Sequence, residues 1–246
     1  MSDCCDLMGI NYIYIILAAL TPVLILLFYI YRKDKNQPEP PKEMIKAFFY
    51  GVASALLSFC ISIPFEKMGL YVSDYKTMVE AMRTSFFAAA IPEEVAKYVM
   101  LWLFLRKCKY FDQRMDGIVY AVCVSLGFAA LENVMYLLGS YDEWVSVGIS
   151  RALTAVPGHF GFGELMGYYY SLGKFDSQNF ASAKYKALIV PMIVHGLYDF
   201  ICFMMGIVPS IAAIIMIVFI VFCGKLWKYG SKRIKEHLVR DLKNFT

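Results

Sequence analysis

The stretch SFFAAAIPEEVAKYVMLWLFL, residues 85–105, decides how the rest of the chain is read. It is long enough to cross a bilayer, which takes about 20 apolar residues, yet it carries Glu93, Glu94 and Lys97 near its middle. A charged side chain at the centre of a spanning helix costs about 2.5–3.5 kcal/mol on insertion scales, so the helix must gain something from all three. Glu93 and Glu94 precede Lys97 by four and three residues, which puts them on adjoining parts of one helical face. An isolated Glu–Lys pair can simply neutralise itself inside a bundle. Two carboxylates for one ammonium leave a surplus acid, which needs a metal, a proton or another partner and suits general acid–base chemistry. Pro92, just before the acids, can bend the helix there.

Working outward, six more apolar runs of spanning length flank this one, and the spans fall near 11–31, 44–64, 85–105, 116–138, 149–171, 187–206 and 208–227. A chain of 246 residues that is 59% hydrophobic and 18% charged carries more apolar surface than one soluble core of that size hides. The runs are twice the length of barrel strands and lack their alternation, so the expected fold is all-α: a polytopic bundle of about seven transmembrane helices. Residues 1–246 form one membrane-embedded domain, with 231–246 as a basic tail. Asp3 and Asp6 stand where a secretory signal carries Lys or Arg, so the first span is expected to be retained. The division of 187–227 into two spans rests on Gly206 and Pro209.

Lys and Arg gather after spans one, three, five and seven: Arg32, Lys33, Lys35 and Lys42; Arg106, Lys107, Lys109 and Arg114; Lys174, Lys184 and Lys186; then Lys225 to Lys243. The positive-inside rule makes those connections cytoplasmic, the amino terminus outside and the carboxyl terminus inside a multi-pass cell-membrane protein. The net charge of +4 therefore reflects orientation rather than nucleic-acid binding, and no nucleotide-binding glycine loop is present. Residues 34–43, DKNQPEPPKE, read as a short stiff connector. In the tail, Ile234, Leu238 and Leu242 recur at helical spacing among basic residues, a pattern that suits either an anionic leaflet or a plain basic anchor. The seven cysteines contain no C-x-x-C pair, which argues against a disulfide framework or a thiolate zinc site.

Other ionisable residues lie in the spans. The fourth brings Glu132 and Asn133, the fifth His159, and the sixth His195 with Asp199 four residues on. One intramembrane histidine is usually a hydrogen-bonded core residue; two, with several carboxylates on four consecutive helices, are hard to treat as independent. Histidine with carboxylate is also a common zinc donor set, and a second carboxylate often orients the imidazole, although no H-E-x-x-H spacing occurs. Measured along each helix from its outer end, Glu94, Glu132, His159, His195 and Asp199 lie at about 13, 9, 15, 16 and 10 Å, all in the outer half of a core about 30 Å thick. That shared layer predicts one polar cavity reachable by water from the extracytoplasmic side. Glu164 points away from it, Gly163 and Gly167 make a G-x-x-x-G on the His159 face, and Arg151 is read as snorkelling to the headgroups. Trp102, Trp144 and Trp227 are read as interface anchors.

Taken together, PEP at 38–40, PEEVAK at 92–97, DGIVYAVCVSLGFAALEN at 116–133, His159 and HGLYDF at 195–200 resemble the PrsW family of membrane peptidases, itself similar to the CAAX-protease and bacteriocin-immunity group. The resemblance covers most of the chain; Glu164, Cys123 and Ser125 are its modest departures. It implies hydrolysis of a peptide bond in a membrane-anchored protein of the anti-sigma-factor type, near the outer surface, with a CAAX-type or bacteriocin-processing peptidase as the alternative. It places Glu93, Glu94, Glu132, His159 and His195 in the active site. Lys97, Asn133 and Asp199 are expected to support them, and His159, His195 and Glu132 to be candidate ligands of zinc or another divalent metal, with a glutamate-dependent mechanism as the other route. The expected partners are a membrane-anchored protein or peptide substrate and the lipid bilayer, with no nucleic acid and no nucleotide. An ion-coupled transporter would also bury such groups but calls for inverted repeats, which are not found; a non-catalytic binding protein is the remaining alternative.

Overall fold

A computed structural model describes the backbone of residues 2–34, 37–176 and 180–243, and side chains within 12–34, 37–176 and 182–242. Cys4, Cys5, Lys35 and residues 244–246 thus lie outside the described side chains. The described chain is helical with no strand: α1 (Ser2–Lys33), α2 (Pro41–Lys67), α3 (Met78–Thr84), a π-helical turn (Ser85–Ala90), α4 (Ile91–Leu105), α5 (Arg114–Gly139), α6 (Trp144–Leu153), α7 (Ala155–Phe175), α8 (Phe180–Ile207) and α9 (Ala212–Lys243).

Among the described residues, five helices are long and apolar enough to cross a membrane: α1 from Tyr12, α2, α5, α8 from Ser182, and the run Pro209–Leu242 that takes in most of α9. The other two expected spans are helical but interrupted. The run through 85–105 changes from π to α geometry at Ile91, whose N–H bonds to the Phe86 carbonyl five residues back. Pro92 has no N–H to donate, and the wider turn absorbs the missing bond where a regular helix would kink. The expected 149–171 span is broken at Thr154, which has φ −122° and ψ −70°. Pro157 explains the break, because its ring would clash with the carbonyl of residue 153 in a continuous helix. The last two spans do separate between Ile207 and Pro209, where the sequence placed a turn.

The helix α5 is the hub. Its most apolar window is 78% buried, against 22% for α1 and 6% for α9. Being apolar on all sides, it has no face suited to water, and α1, α2, α4, α7 and α9 all pack against it. Small residues bring those neighbours to backbone contact: a Cβ added at Gly51 would strike the Val124 carbonyl, and one at Gly167 would strike that of Gly117. The outer helices instead expose Leu24, Phe28, Phe49, Phe59, Ile217 and Ile220, apolar surface that suits lipid tails. Trp102 and Trp227 are partly exposed among them.

The tail packs on the bundle through part of its apolar stripe, with Leu242 exposed. It continues α9 without a break to Lys243, and Ile234, His237 and Asp241 are buried against the bundle rather than offered to a leaflet. Asp241 accepts from the N–H groups of Arg114 and Met115, so it caps α5 from a distance of 126 residues in sequence. The connector anchors itself to the bundle: Glu39 is buried and accepts a hydrogen bond from the Tyr120 hydroxyl. The described cysteines Cys60, Cys108, Cys123, Cys202 and Cys223 are all free, as their spacing suggested.

Candidate active site

The ionisable residues of four spans meet in one cluster. Lys97 of α4 is at its centre, 1% exposed, with Nζ 2.9 Å from Glu94 Oε1, 3.2 Å from Glu93 Oε2 and 3.0 Å from His159 Nδ1. Its ammonium also lies 4.1 Å from the Phe128 ring centre, a cation–π contact from the residue one turn before Glu132. His195 of α8 places Nδ1 2.9 Å from Glu94 Oε1 and Nε2 3.3 Å from Asp199 Oδ2, and its ring stacks on Phe162 at 4.5 Å. The two imidazoles are 5.5 Å apart, nearly perpendicular. The layer deduced from helix depth is therefore one contiguous cluster.

An ammonium only donates, so Lys97 fixes the tautomer of its neighbour. His159 Nδ1 must accept, which puts the ring proton on Nε2, where it is donated to Glu132 Oε2 at 2.9 Å. The same oxygen takes a second charged donor, Nη2 of Arg151, at 2.6 Å, while Arg151 Nε donates to Asn133 Oδ1 at 2.7 Å. Arg151 is thus no snorkelling anchor. The break at Thr154 turns α6 so that its guanidinium enters the site, and Asn133 is held in turn by the Ala19 carbonyl. The sequence holds a signal for this: Lys97 is already matched by Glu93 and Glu94, so Glu132 has no cation of its own unless Arg151 is counted.

Exposure separates two kinds of acid. Glu94 is fully buried, whereas the side chains of Glu93 and Glu132 are 12% and 19% exposed. Both line a groove of about 580 Å³ whose walls include Ser58, Thr84, Phe128, Tyr136 and Phe203. The groove is more apolar than the polar cavity expected, with the carboxylates at its floor. Glu164 lies elsewhere, buried in α7 with Oε2 unpaired near Gly230 of α9.

The donor chemistry fits a divalent metal. Oxygen and nitrogen atoms of Glu93, Glu132 and His159 come within 4.8 Å of one another, as do those of Glu93, Glu94 and His195. The trio expected from sequence, His159, His195 and Glu132, is spread over the two groups, which share Glu93. Four carboxylates here face two permanent cations, Lys97 and Arg151, and Glu94 Oε2 is buried with no hydrogen-bond partner. With His195 meeting a carboxylate at each ring nitrogen as a third cation, one acid remains in excess, and the orphaned oxygen among them is where a bound dication would be taken up.

A membrane-embedded helical bundle with a Glu–His–Lys–Arg cluster opening on an apolar groove has the make-up of an intramembrane hydrolase. Comparison with known proteins agrees: a family model described as "PrsW family intramembrane metalloprotease" matches residues 39–224. "Protease PrsW" of Clostridioides difficile (strain 630) is 34% identical over 232 residues, covering 93% of each chain. The protein of that name from Bacillus subtilis (strain 168) is 34% identical over 224 residues, 90% of this chain and 94% of its own. That from Geobacillus kaustophilus (strain HTA426) is 33% identical over 187 residues, 76% and 79%. No solved structure matches. The chain belongs to the PrsW family of intramembrane metalloproteases.

Proposed function

We propose that this chain is a multi-pass cell-membrane peptidase that cleaves a membrane-anchored protein, of the anti-sigma-factor type, near the extracytoplasmic face. The reading includes seven crossings, with the interrupted helices around Ile91 and Thr154 making two of them, amino terminus outside and carboxyl terminus inside. The basic connections and the depth of the polar cluster support it. The observation that carries it is the pair Glu93 and Glu132, partly exposed at the floor of an apolar groove and backed by buried cations and imidazoles.

In this reading the groove takes an extended segment of the substrate, its apolar walls excluding bulk water and so strengthening the charges below. Glu132 receives the proton of a water held between it and the scissile carbonyl. Its Oε2 is taken up by His159 and Arg151, so Oε1 is the oxygen presented to that water. Arg151 and the His159 Nε2–H hold the carboxylate against the helix packing, and Lys97 keeps His159 in the donating tautomer. The proton accepted by Glu132 then passes to the departing amine. Glu94 and Asp199 orient His195 from opposite ring nitrogens. Zinc or a similar dication held by Glu93 and Glu132 would take His159 or His195 as a ligand only in exchange for one of that ring's present contacts, and would supply Lewis-acid polarisation of the carbonyl and activation of the water.

The test is co-expression with a tagged membrane substrate, read as appearance of the cleaved fragment. Glu132→Gln is expected to abolish cleavage while the variant remains folded and inserted. Cleavage at the parental rate by folded Glu132→Gln protein would overturn the assignment. Elemental analysis of the detergent-purified protein is expected to find a dication that the Glu93→Gln/His159→Ala variant loses.

A further inference from the structure

A second buried cluster lies at the other end of the bundle. Asp34 just past α1, Glu39 before α2 and Asp116 in the first turn of α5 bring carboxylate oxygens within 4.8 Å of one another. Asp116 precedes Glu132 by sixteen residues on one helix, which separates the two clusters by about 24 Å. The three acids are 2%, 5% and 0% exposed.

Like charges so close and so dry need a compensating partner, and among the described residues no cation lies in ion-pair contact with them; Lys174 acts on Asp116 only from a distance. No described Lys or Arg forms an ion pair with any of the three; Arg114 is engaged with Asp241 at 3.5 Å and Lys174 with the Phe111 carbonyl. Asp116 Oδ2 caps the turn before α5 by accepting from the N–H groups of Asp112 and Gln113, at 2.9 and 2.6 Å. Its other oxygen, Oδ1, and Asp34 Oδ2 are buried with no hydrogen-bond partner at all. Those two orphaned atoms belong to the carboxylates that converge, and an unpaired buried acceptor forfeits its hydration without return.

We propose that Asp34, Glu39 and Asp116 form a binding site for a hard divalent cation of the magnesium class, separate from the Glu–His cluster. The three converging donors are all carboxylate oxygens, Glu39 being held by the Tyr120 hydroxyl, and among the described residues the group includes no imidazole or thiolate; such a set selects Mg²⁺, Mn²⁺ or Ca²⁺ over zinc. The ligands come from the end of α1, the connector before α2 and the start of α5, so the cation ties together three chain segments that otherwise repel. The site stands independently of the peptidase reading.

The test uses full-length protein purified in detergent, stripped with a chelator and titrated with Mn²⁺ while bound metal is counted by electron paramagnetic resonance. The parent is expected to bind one Mn²⁺ more than Asp34→Asn/Glu39→Gln, with that ion displaced by millimolar Mg²⁺. Asp116 is left alone because it caps α5. Should the double variant not fold, Asp34→Asn alone, which breaks no side-chain hydrogen bond among the described residues, is expected to weaken that Mn²⁺ site at least about tenfold. Equal stoichiometry and affinity in parent and variant, or no Mn²⁺ bound by the parent, would overturn the proposal and leave protons as the cluster's counter-charge.

Discussion

Arg151 holds Glu132 from a different helix, with Nη2 2.6 Å from Oε2, and so turns a floor carboxylate into an oriented one. The contact depends on the break at Thr154, which swings α6 out of line with α7 and over the end of α5. Nε of the same guanidinium reaches Asn133, so the fork engages two consecutive residues of α5, and a lysine cannot reproduce it. Arg151→Met is therefore expected to lower kcat by about 10- to 100-fold with a small effect on KM, the mark of a positioning residue whose loss misplaces Glu132. Arg151→Lys should recover only part of the loss. A purified assay on a detergent-solubilised substrate separates the two constants, and an effect confined to KM would place Arg151 in substrate binding instead.

Lys97 makes a different prediction because it compensates charge at the centre of the cluster. With Glu94 fully buried, Lys97→Met leaves carboxylates in a dry site without their ammonium, and truncating one side of a buried pair typically costs about 3–5 kcal/mol. Thermal unfolding in detergent should show Lys97→Met well below the parent, and Lys97→Met/Glu94→Gln recovering much of the difference without recovering cleavage. Additive losses in the double variant would mean the two residues do not interact as their 2.9 Å contact requires.

How much of this could be read from the chain follows from what each residue contacts. The i, i+3, i+4 pattern of Glu93, Glu94 and Lys97 is local, so the sequence revealed both the pairing and its excess acid; helix depth then brought His159, His195 and Glu132 to the same level. Arg151 was misread because depth was counted along one continuous span, and Pro157 breaks that span at Thr154. The second acidic cluster was missed because DKNQPEPPKE has the composition of a solvated linker. Nothing local in it reports that Tyr120, some 81 positions away, buries Glu39. Likewise the spacing of Ile234 does not say which surface it meets, and the basic residues of the tail mask Asp241, buried where it caps α5.

The second acidic cluster also predicts a pH dependence. Burial first, then the charges of Asp116 and Asp241, pushes Asp34 up to about 7 from an ordinary value of 3.8. Burial and the neighbouring Asp116 carboxylate, opposed by Tyr120, push Glu39 up to about 9 from 4.5. Between the ordinary and raised values the folded state holds more protons than the unfolded one, so stability falls as pH rises. With chelator present, the contribution of these two acids is expected to decline from about pH 4 to about pH 7 for Asp34 and to about pH 9 for Glu39. Melting temperatures of the parent minus those of Asp34→Asn/Glu39→Gln isolate that slope from other groups, and added Mg²⁺ should flatten it. A difference that is constant across the range would contradict the shifts.

The closeness of α7 to α5 is what sets His159 against Glu132, and two positions on α7 test it. A Cβ at Gly167 would strike the backbone carbonyl of Gly117, an atom that no rotamer change can move aside. At Gly173, two turns further along, the nearest atom is Ala183 Cβ at 3.6 Å, an ordinary contact. Gly167→Ala must therefore push the helices apart, at a cost of about 1–3 kcal/mol or more, while Gly173→Ala should be nearly neutral and gain slightly in helix propensity. The separation also lengthens the His159–Glu132 hydrogen bond, now 2.9 Å, so Gly167→Ala should lose cleavage out of proportion to its lowered melting temperature. Gly173→Ala should keep both. If the two variants behave alike, backbone contact between α5 and α7 does not set the geometry of the site, and the pairing of His159 with Glu132 needs another cause.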